Sequence, residues 1–410
     1  MVFLLPTDLM TAKLPAAAEV FEKEDAYPLF ASEYLIRLTP ENMKDPKALL
    51  LNNRMTARDN YTDALMLLNA TYSGEEPLVE RALMVYRYMP PKYSTPVLDI
   101  VNYYGKNTGL DEAVRGEYAR YWHGYLVLLK PLLCVMDYRF IRILNMAVLS
   151  VLLVWLIYLL NQRLGDKVRN AFLVALLFFM PFTIPFCMQF CTATYVMLIG
   201  MLALLKNESV WCQGMKIATY FLLLGICTSY VDYLTYPLVT FGIPMLLYLL
   251  LNPECKFRIY LRCGVFWGMG YLGMWAMKWV YTSLILQENH FAEAINQILF
   301  RMSNQNEDKN ASIGFLSPVA ANLSNYVNIV YLLLIAIILV YIIMALRKNS
   351  CAQVISEGRL ALLTACLPAI WYCVIANHSY VHSSFTYRAL FVSVWAILLV
   401  CSGAYLKKEN

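Results

Sequence analysis

Charged side chains are scarce in this chain of 410 residues: Asp, Glu, Lys and Arg make up 15% of it, whereas hydrophobic residues make up 60%. Soluble domains carry roughly 25% charged residues. The mean hydropathy of +0.52 is also higher than a soluble core of this length requires. The shortage of charge therefore excludes an ordinary soluble domain, and a net charge of only +5 gives no sign of nucleic-acid binding.

Cysteine is absent from the first 133 residues of the chain: the first of eleven is Cys134, and the others lie in or beside apolar runs. The N-terminal region therefore has no disulfide framework. There is no Cys-X-X-Cys pair, and Cys187 and Cys191 stand four residues apart in a Phe-rich turn. We predict no metal site at these positions and interpret the cysteines as small buried apolar side chains.

A long apolar segment is also missing at the start of the sequence. The stretch MVFLL ends at Pro6, which makes it too short for the core of a signal peptide or for a membrane span. A polar N-terminal region on the outer side of a membrane normally needs one or the other to cross. We therefore expect a first span upstream of this sequence.

Long apolar runs dominate the rest of the chain. Each approaches the roughly 20 residues that cross about 30 Å of hydrocarbon. Residues 121–136 are shorter and contain Lys130 and Pro131, so we interpret them as an interfacial or re-entrant helix. The sequence predicts an all-α polytopic integral membrane protein, with a mostly helical extracytoplasmic region at 1–138 and a transmembrane helical domain at 139–410. The nine predicted spans are 140–160, 171–188, 190–205, 217–231, 233–251, 263–284, 326–346, 360–376 and 389–406.

The positive charges between the runs predict the orientation. Lys and Arg concentrate on the cytoplasmic side of membrane proteins. Alternate connections here carry 13 of them, and the connections between carry only 3, namely Arg301, Lys309 and Arg388. With nine spans, this alternation places the N-terminal region outside and the C-terminus in the cytoplasm of a multi-pass cell-membrane protein. The 13 are Arg163, Lys167, Arg169, Lys206, Lys216, Lys256, Arg258, Arg262, Arg347, Lys348, Arg359, Lys407 and Lys408.

Several ionisable residues fall on the predicted outer side, in or beside the hydrocarbon. A charge there costs at least ~2.5 kcal/mol, so it usually has a partner or a function. Asp232 lies at a turn between two runs, Lys278 lies within the sixth run, and Arg388 begins the last run from outside. An alternative is that Asp232 and Lys278 pair with each other and that Arg388 extends to lipid headgroups. The four histidines, His123, His290, His378 and His382, are on the same side.

The segment ANHSYVHSSFTYR, residues 376–388, is the densest group of such side chains. His378, His382 and Arg388 could bind a phosphate through charge-assisted hydrogen bonds. The spacing of four between the two histidines would also place both rings on one helix face, where a metal could bind. No carboxylate is nearby in the sequence to complete that metal site.

The N-terminal region offers a pair of carboxylates in ARDNYTDALML. Asp59 and Asp63 are four residues apart, so on a helix they project from one side. Such a pair could act as a general base or hold a divalent cation, the only cofactor that the sequence suggests. The alternative is a solvated helix face with Arg54 and Arg58 as neutralising neighbours. Asp25 is a second candidate for the base.

The stretch ARYWHGY, residues 119–125, places Arg120 and His123 among aromatic residues just before the first predicted span. One interpretation is an aromatic belt at the membrane interface. The other is a platform on which a sugar ring stacks, with Arg120 and His123 as substrate-binding residues.

This arrangement of many spans and an outer acidic region resembles the GT-C class of membrane glycosyltransferases. The resemblance covers the whole chain as topology, and Asp59 and Asp63 in DNYTD match the loop acid of that class loosely. The class often places its acid closer to the first span, which would favour Asp25. The resemblance implies a polyprenyl-phosphate-linked sugar as donor and a glycan or lipid as acceptor.

The mechanism implied by this resemblance is proton removal from an acceptor hydroxyl by Asp59 or Asp63. The leaving lipid phosphate would be met by Lys278, His378, His382 or Arg388. Two other functions compete with this one. A transporter or flippase of lipid-linked sugars usually has paired repeats and interrupted helices at the midplane, whereas the ionisable groups here gather near one face. The third possibility is a non-catalytic assembly protein whose outer region binds a partner.

Overall fold

The computed structural model describes residues 1–29, 45–305, 312–348 and 351–405. The fold is almost entirely helical, with 74% helix and 2% strand, as the sequence predicts. Lys309, Lys407 and Lys408, which entered the orientation argument, lie outside the described residues. The α-helices described before residue 138 are Thr7–Thr11 (α1), Leu14–Glu24 (α2), Pro46–Leu50 (α3), Asn60–Thr71 (α4), Leu78–Met84 (α5), Pro96–Ile100 (α6) and Leu126–Val135 (α7).

The helices described from residue 138 onward are longer and more apolar. They are Tyr138–Leu164 (α8), Asp166–Phe179 (α9), Met188–Lys206 (α10), Glu208–Trp211 (α11), Lys216–Val231 (α12), Val239–Leu251 (α13), Phe257–Leu286 (α14), Phe291–Met302 (α15), Ser317–Leu323 (α16), Ile329–Lys348 (α17), Cys351–Val374 (α18), Ala376–Val381 (α19), Ser383–Thr386 (α20) and Leu390–Cys401 (α21). Short 3-10 turns lie at Val2–Leu4, Arg54–Thr56, Ile184–Phe186, Ser324–Tyr326 and Tyr387–Ala389, and a π-helical turn at Val101–Gly105.

Six helical segments among the described residues are long and apolar enough to cross a membrane. The other three predicted runs correspond to α12, α13 and α14, which are either shorter or less apolar than these six. With 16 and 13 residues, α12 and α13 measure about 24 and 20 Å at 1.5 Å per residue. The 30 residues of α14 are long enough, but this helix is less apolar than the six, with Lys278 and four glycines within the predicted run 263–284. The six segments are Tyr138–Leu164, Asp166–Phe186, Met188–Lys206, Ile329–Arg347, Ala352–Val374 and Ser383–Cys401.

The main core lies among the apolar helices, and its closest helix contact is between α12 and α14. A Cβ atom added at Gly225 would lie 2.2 Å from the carbonyl oxygen of Trp267, and one added at Gly270 would lie 2.2 Å from that of Leu222. Only glycine permits backbones to approach this closely, which is a common basis of helix packing in membranes. Elsewhere in the core, α21 packs against α9 and α18, with Trp395 fully buried.

The N-terminal region packs against the ends of the long helices through a second apolar core. This core joins Phe21 and Leu67 from the region to Tyr138, Met188 and Tyr233 from the helical domain. A small antiparallel ribbon, Arg87–Met89 (β1) with Val114–Gly116 (β2), completes the region.

The predicted interfacial helix is shorter than expected, since the structure starts α7 at Leu126 rather than at residue 121. His123 has a left-handed backbone with φ of +53°, which is incompatible with a helix through this position.

Candidate functional site

Residues 52–63, hereafter the docking segment, lie across the ends of the apolar helices. The side-chain amide of Asn52 donates to the carbonyl of Ser324 at 3.3 Å. The hydroxyl of Tyr387 donates to the carbonyl of Met55 at 2.6 Å. Both contacts join positions far apart in the chain, so the carboxylates of the docking segment are held directly against the predicted membrane domain.

Asp63 is fully buried and anchors α4 to α10. Its carboxylate accepts hydrogen bonds from the Tyr138 hydroxyl at 2.6 Å and from the backbone N–H groups of Met188 at 2.9 Å and Gln189 at 3.3 Å. The Cys187 thiol lies 3.5 Å from the same carboxylate. A carboxylate at a helix N-terminus satisfies N–H groups that have no partner within the helix. Both oxygens of Asp63 are therefore already occupied.

Asp59 is 5% exposed and caps its own helix. One oxygen accepts the backbone N–H of Thr62 and the other accepts the Thr62 hydroxyl, each at 2.9 Å. Burial raises the pKa of Asp59 to about 6, and the charge of Asp63 adds to the increase. A carboxyl group that titrates near neutrality is well matched to proton transfer. Of the two aspartates, Asp59 thus has the freer carboxylate.

Asp25 is exposed at the end of α2, with a left-handed φ of +63°. Its backbone carbonyl accepts from the Asn60 side chain at 2.7 Å. The neighbouring Glu24 makes the charged contacts here, to Arg58 at 2.9 Å and to Arg142 at 3.0 Å. Arg58 therefore pairs with Glu24.

Glu24 and Arg142 are not among the site residues predicted from the sequence. Arg142 lies inside the first apolar run, which is the signal that could have identified it, because a charge within such a run usually has a partner. Glu24 gave no comparable signal among the acids around it.

Arg388 is fully buried and does not extend to headgroups. Its guanidinium donates to the Thr183 hydroxyl at 2.7 Å and lies 4.1 Å from the ring centroid of Phe190. Within the described residues it forms no ion pair with a carboxylate. Arg388 and Asp63 thus contact the same connection between α9 and α10, residues 180–190.

His378 and His382 lie together, with ring centroids 4.7 Å apart. The Nε2 atom of His382 is 3.2 Å from a guanidinium nitrogen of Arg301, a residue predicted from the sequence only as a loop charge. Burial, together with the positive charge of Arg301, lowers the pKa of His382 to about 4. Arg54 of the docking segment donates to the hydroxyl of Ser383, beside His382, at 3.0 Å.

Asp232 is buried in the turn between α12 and α13. It accepts from the Thr192 hydroxyl at 3.3 Å and from the backbone N–H of Thr235 at 2.9 Å. Leu234 in the same turn has a left-handed φ of +65°, which is strained for a branched residue, and its carbonyl lies 2.7 Å from Nε2 of His378. The turn therefore links Asp232 and His378 through backbone rather than through direct contact.

His123 is buried among tyrosines. Its Nδ1 lies 2.7 Å from the Tyr233 hydroxyl and its Nε2 lies 2.7 Å from the Tyr118 carbonyl. Burial and the charge of Lys278 lower the pKa of His123 to about 3. The rings of Tyr118 and Tyr233 stack on each other with centroids 6.0 Å apart, so part of the predicted sugar platform is covered by protein.

Arg120 is closer to solvent than His123. It forms an ion pair with Glu293 of α15 at 3.2 Å, and its carbonyl accepts from the Trp275 indole at 2.9 Å. These contacts connect the aromatic stretch to α14 and α15.

Lys278 does not pair with Asp232, contrary to the alternative considered for these two residues. Its ammonium donates to the carbonyl of Leu83 and lies 5.5 Å from the Trp122 ring centroid. It forms no hydrogen bond or ion pair with the two loop histidines or Arg388 in the described part of the chain. The cation in contact with His382 is therefore Arg301 and not Lys278.

The described residues include no group of three or more His, Cys, Asp or Glu side chains arranged to hold a metal ion. Asp59 and Asp63 bind neighbouring protein groups, and the partner of His382 is the guanidinium of Arg301. The guanidinium of Arg301 beside His382 suits anion binding, and the Asp59 carboxyl suits proton transfer.

The chain matches no protein-family model, no curated protein and no solved structure.

Proposed function

We propose that this protein is a membrane glycosyltransferase that transfers a sugar from a polyprenyl-phosphate-linked donor to a glycan or lipid acceptor at the outer face of the membrane. One observation carries the proposal. The docking segment brings Asp59 to the helix ends, and it contacts both the 180–190 connection and Ser383 in the 376–388 loop. A transferase of this kind needs a carboxylate from the outer region beside cations of the membrane domain.

The proposed reaction assigns a role to each half. The acceptor hydroxyl attacks the anomeric carbon, its proton passes to Asp59, and the bond from sugar to phosphate breaks. The leaving polyprenyl phosphate gains negative charge, which Arg301 and His382 would meet with charge-assisted hydrogen bonds. Arg388 has no carboxylate partner among the described residues and supplies a further positive charge behind the site.

We also propose a topology with about nine spans, three more than the six candidate spans among the described residues. Residues 1–138 form the extracytoplasmic region and residues 139–410 the membrane domain, with α12, α13 and α14 completing about nine spans. The excess of 13 positive residues over 3 on alternate connections supports an outer N-terminal region and a cytoplasmic C-terminus.

Asp59→Asn is the decisive test, because asparagine still caps α4 while the charge is lost. The purified protein is reconstituted in liposomes with lipid extracted from the cells that produce it. Release of polyprenyl phosphate is measured by mass spectrometry. We expect a loss of roughly 10²–10⁴-fold in rate, typical for removal of a general base, with an unchanged unfolding temperature. Asp111→Asn, at an exposed acid of the same region, is the matched control and keeps full activity.

Two other outcomes change the assignment. If Asp59→Asn and Asp63→Asn keep full activity while Asp25→Asn abolishes it, Asp25 is the base. If none of the three changes the product, or the unaltered protein releases none, the transferase proposal is wrong. Transport of lipid-linked sugar, or assembly without catalysis, would then replace it.

A further inference from the structure

The helix α15 exposes an apolar stripe that the rest of the described chain leaves uncovered. Phe291, Ile295, Leu299 and Met302 recur at helical spacing and lie on one side. Their side chains are 38%, 50%, 61% and 46% exposed. A stripe this continuous on a helix of 12 residues needs an apolar partner.

A second side of α15 is fixed to the predicted membrane domain. Ala294 is buried, and Arg301, two helical turns later, contacts His382. Just after the helix, the carbonyl of Ser303 accepts from the backbone N–H of Asn377 at 3.1 Å. Because this side is held by the 376–388 loop, the direction of the apolar stripe is fixed as well.

The stripe begins where the exposed surface of α14 ends. Tyr281, Leu284 and Ile285, near the end of α14, are 45%, 64% and 50% exposed. Gln287, with a left-handed φ of +55°, then turns the chain into α15. An exposed apolar surface on a membrane-length helix faces lipid, and the stripe of α15 begins only a few residues after the end of α14.

We propose that α15 is an in-plane interfacial helix whose apolar stripe binds the outer surface of the lipid bilayer. At 1.5 Å per residue it is about 18 Å long, and such helices bury their apolar face about 5–10 Å deep. The bilayer contact holds Arg301, and with it His382, at the depth of the lipid headgroups. This inference does not depend on the transfer reaction.

Photo-crosslinking tests the orientation with two phenylalanines of the same helix. Phe291→benzoylphenylalanine and Phe300→benzoylphenylalanine are each reconstituted in vesicles of phosphatidylcholine and phosphatidylglycerol and irradiated. The two positions are nine residues apart, which places them on opposite sides of a helix with 3.6 residues per turn. We expect mass spectrometry to detect lipid adducts at position 291 and none at position 300. Leu299→benzoylphenylalanine, on the stripe, should behave like position 291.

Three results would overturn the inference. Equal lipid labelling at 291 and 300 would show that the helix is not oriented on the bilayer. Crosslinked dimers at 291 and 299 would show that a second copy of the chain covers the stripe. Absence of lipid adducts at both stripe positions, with unfolding temperatures equal to that of the unaltered protein, would show that the stripe faces water. None of these readouts requires enzymatic activity, so failure here is distinct from failure of the transferase proposal.

Discussion

The Asp63 carboxylate accepts a hydrogen bond from the backbone N–H of Met188 at 2.9 Å, so an acid of the N-terminal region caps a membrane-length helix. The Tyr138 hydroxyl at the start of α8 donates to the same oxygen. Asp63 therefore fixes the docking segment relative to two long helices at once. This position explains why two aspartates of one motif have different predicted roles, Asp63 in positioning and Asp59 in proton transfer.

Asp63→Ala should destabilise the protein, because it leaves the Met188 and Gln189 N–H groups and the Tyr138 hydroxyl buried without an acceptor. Leaving a buried donor unsatisfied costs about 1–3 kcal/mol, so the unfolding temperature in detergent should fall. Asp63→Asn retains one acceptor oxygen and should lie between Asp63→Ala and the unaltered protein. Asp111→Ala, at an exposed acid, is the control with no expected change. Equal unfolding temperatures for Asp63→Ala and the control would rule out the anchoring role.

Gly225→Ala should force α12 and α14 apart, because the new methyl group would lie 2.2 Å from the Trp267 carbonyl oxygen. Overpacking of this kind costs about 1–3 kcal/mol, visible as a lower unfolding temperature. Gly268 and Gly273 both lie in α14, and a Cβ added at either would have no atom of another part of the chain within 4 Å. Alanine at either of these positions should be neutral or slightly stabilising, because glycine weakens a helix by about 0.5–1 kcal/mol. A Gly225→Ala protein as stable as Gly268→Ala would contradict the close contact.

Asp111→Cys should be labelled from outside in intact cells by a membrane-impermeant maleimide, whereas Ser356→Cys should be labelled only after permeabilisation. Both side chains are exposed, and position 356 lies in the first two turns of α18, before the predicted run 360–376. Each substitution is made in a chain with its native cysteines replaced, and release of polyprenyl phosphate serves to check that the chain is intact. Labelling of position 356 from outside would show that the predicted topology, with its count of nine spans, is wrong.

The helical class was accessible from sequence because long apolar runs depend only on local composition. The ends of α8 and α10 lie within four residues of the predicted runs 140–160 and 190–205. The short helices α12 and α13 are harder to predict, because Asp232 and Pro237 interrupt an apolar stretch whose total length would otherwise cross a membrane. Composition indicates two runs there, while the structure decides how many residues of each are helical.

The partners of the charged residues could not be derived from the sequence. Lys278 has Asp232 as the obvious partner by predicted topology, yet its ammonium binds the carbonyl of Leu83, nearly two hundred residues away. The sequence places Arg301 in a predicted connection beside several other polar residues, and nothing in its neighbourhood indicates a contact with His382. The first pairing depends on how the N-terminal region docks and the second on how α15 packs against the 376–388 loop, and hydropathy and charge counts encode neither.

Because the pKa of His382 is lowered in the folded protein, we expect a loss of stability in acid. Burial, together with the charge of Arg301, lowers the pKa of His382 to about 4, whereas in the unfolded chain it lies near 6.5. As the pH falls from about 6.5 towards 4, the unfolded chain binds a proton at this site and the folded protein does not. The stability contributed by His382 is therefore complete above about pH 6.5 and is lost as the pH falls through the folded pKa.

Comparison of two variants isolates this effect from other titrating groups. The raised pKa values of Asp59 and Asp232, each about 6 through burial, act in the opposite direction, since protonation of these buried carboxyls favours the folded state as the pH falls. The change in the stability of the unaltered protein with pH is therefore the sum of these opposing effects. The informative quantity is the difference in this change between the variants and the unaltered protein. Between about pH 6.5 and 4, the unfolding temperature of the His382→Gln protein should fall less than that of the unaltered protein, because the titrating ring is gone. The decrease for the Arg301→Gln protein should lie between those two, because without the cation only burial keeps the pKa of His382 below its usual value. Identical pH profiles for all three proteins would show that His382 titrates normally and that its contact with Arg301 does not form in solution.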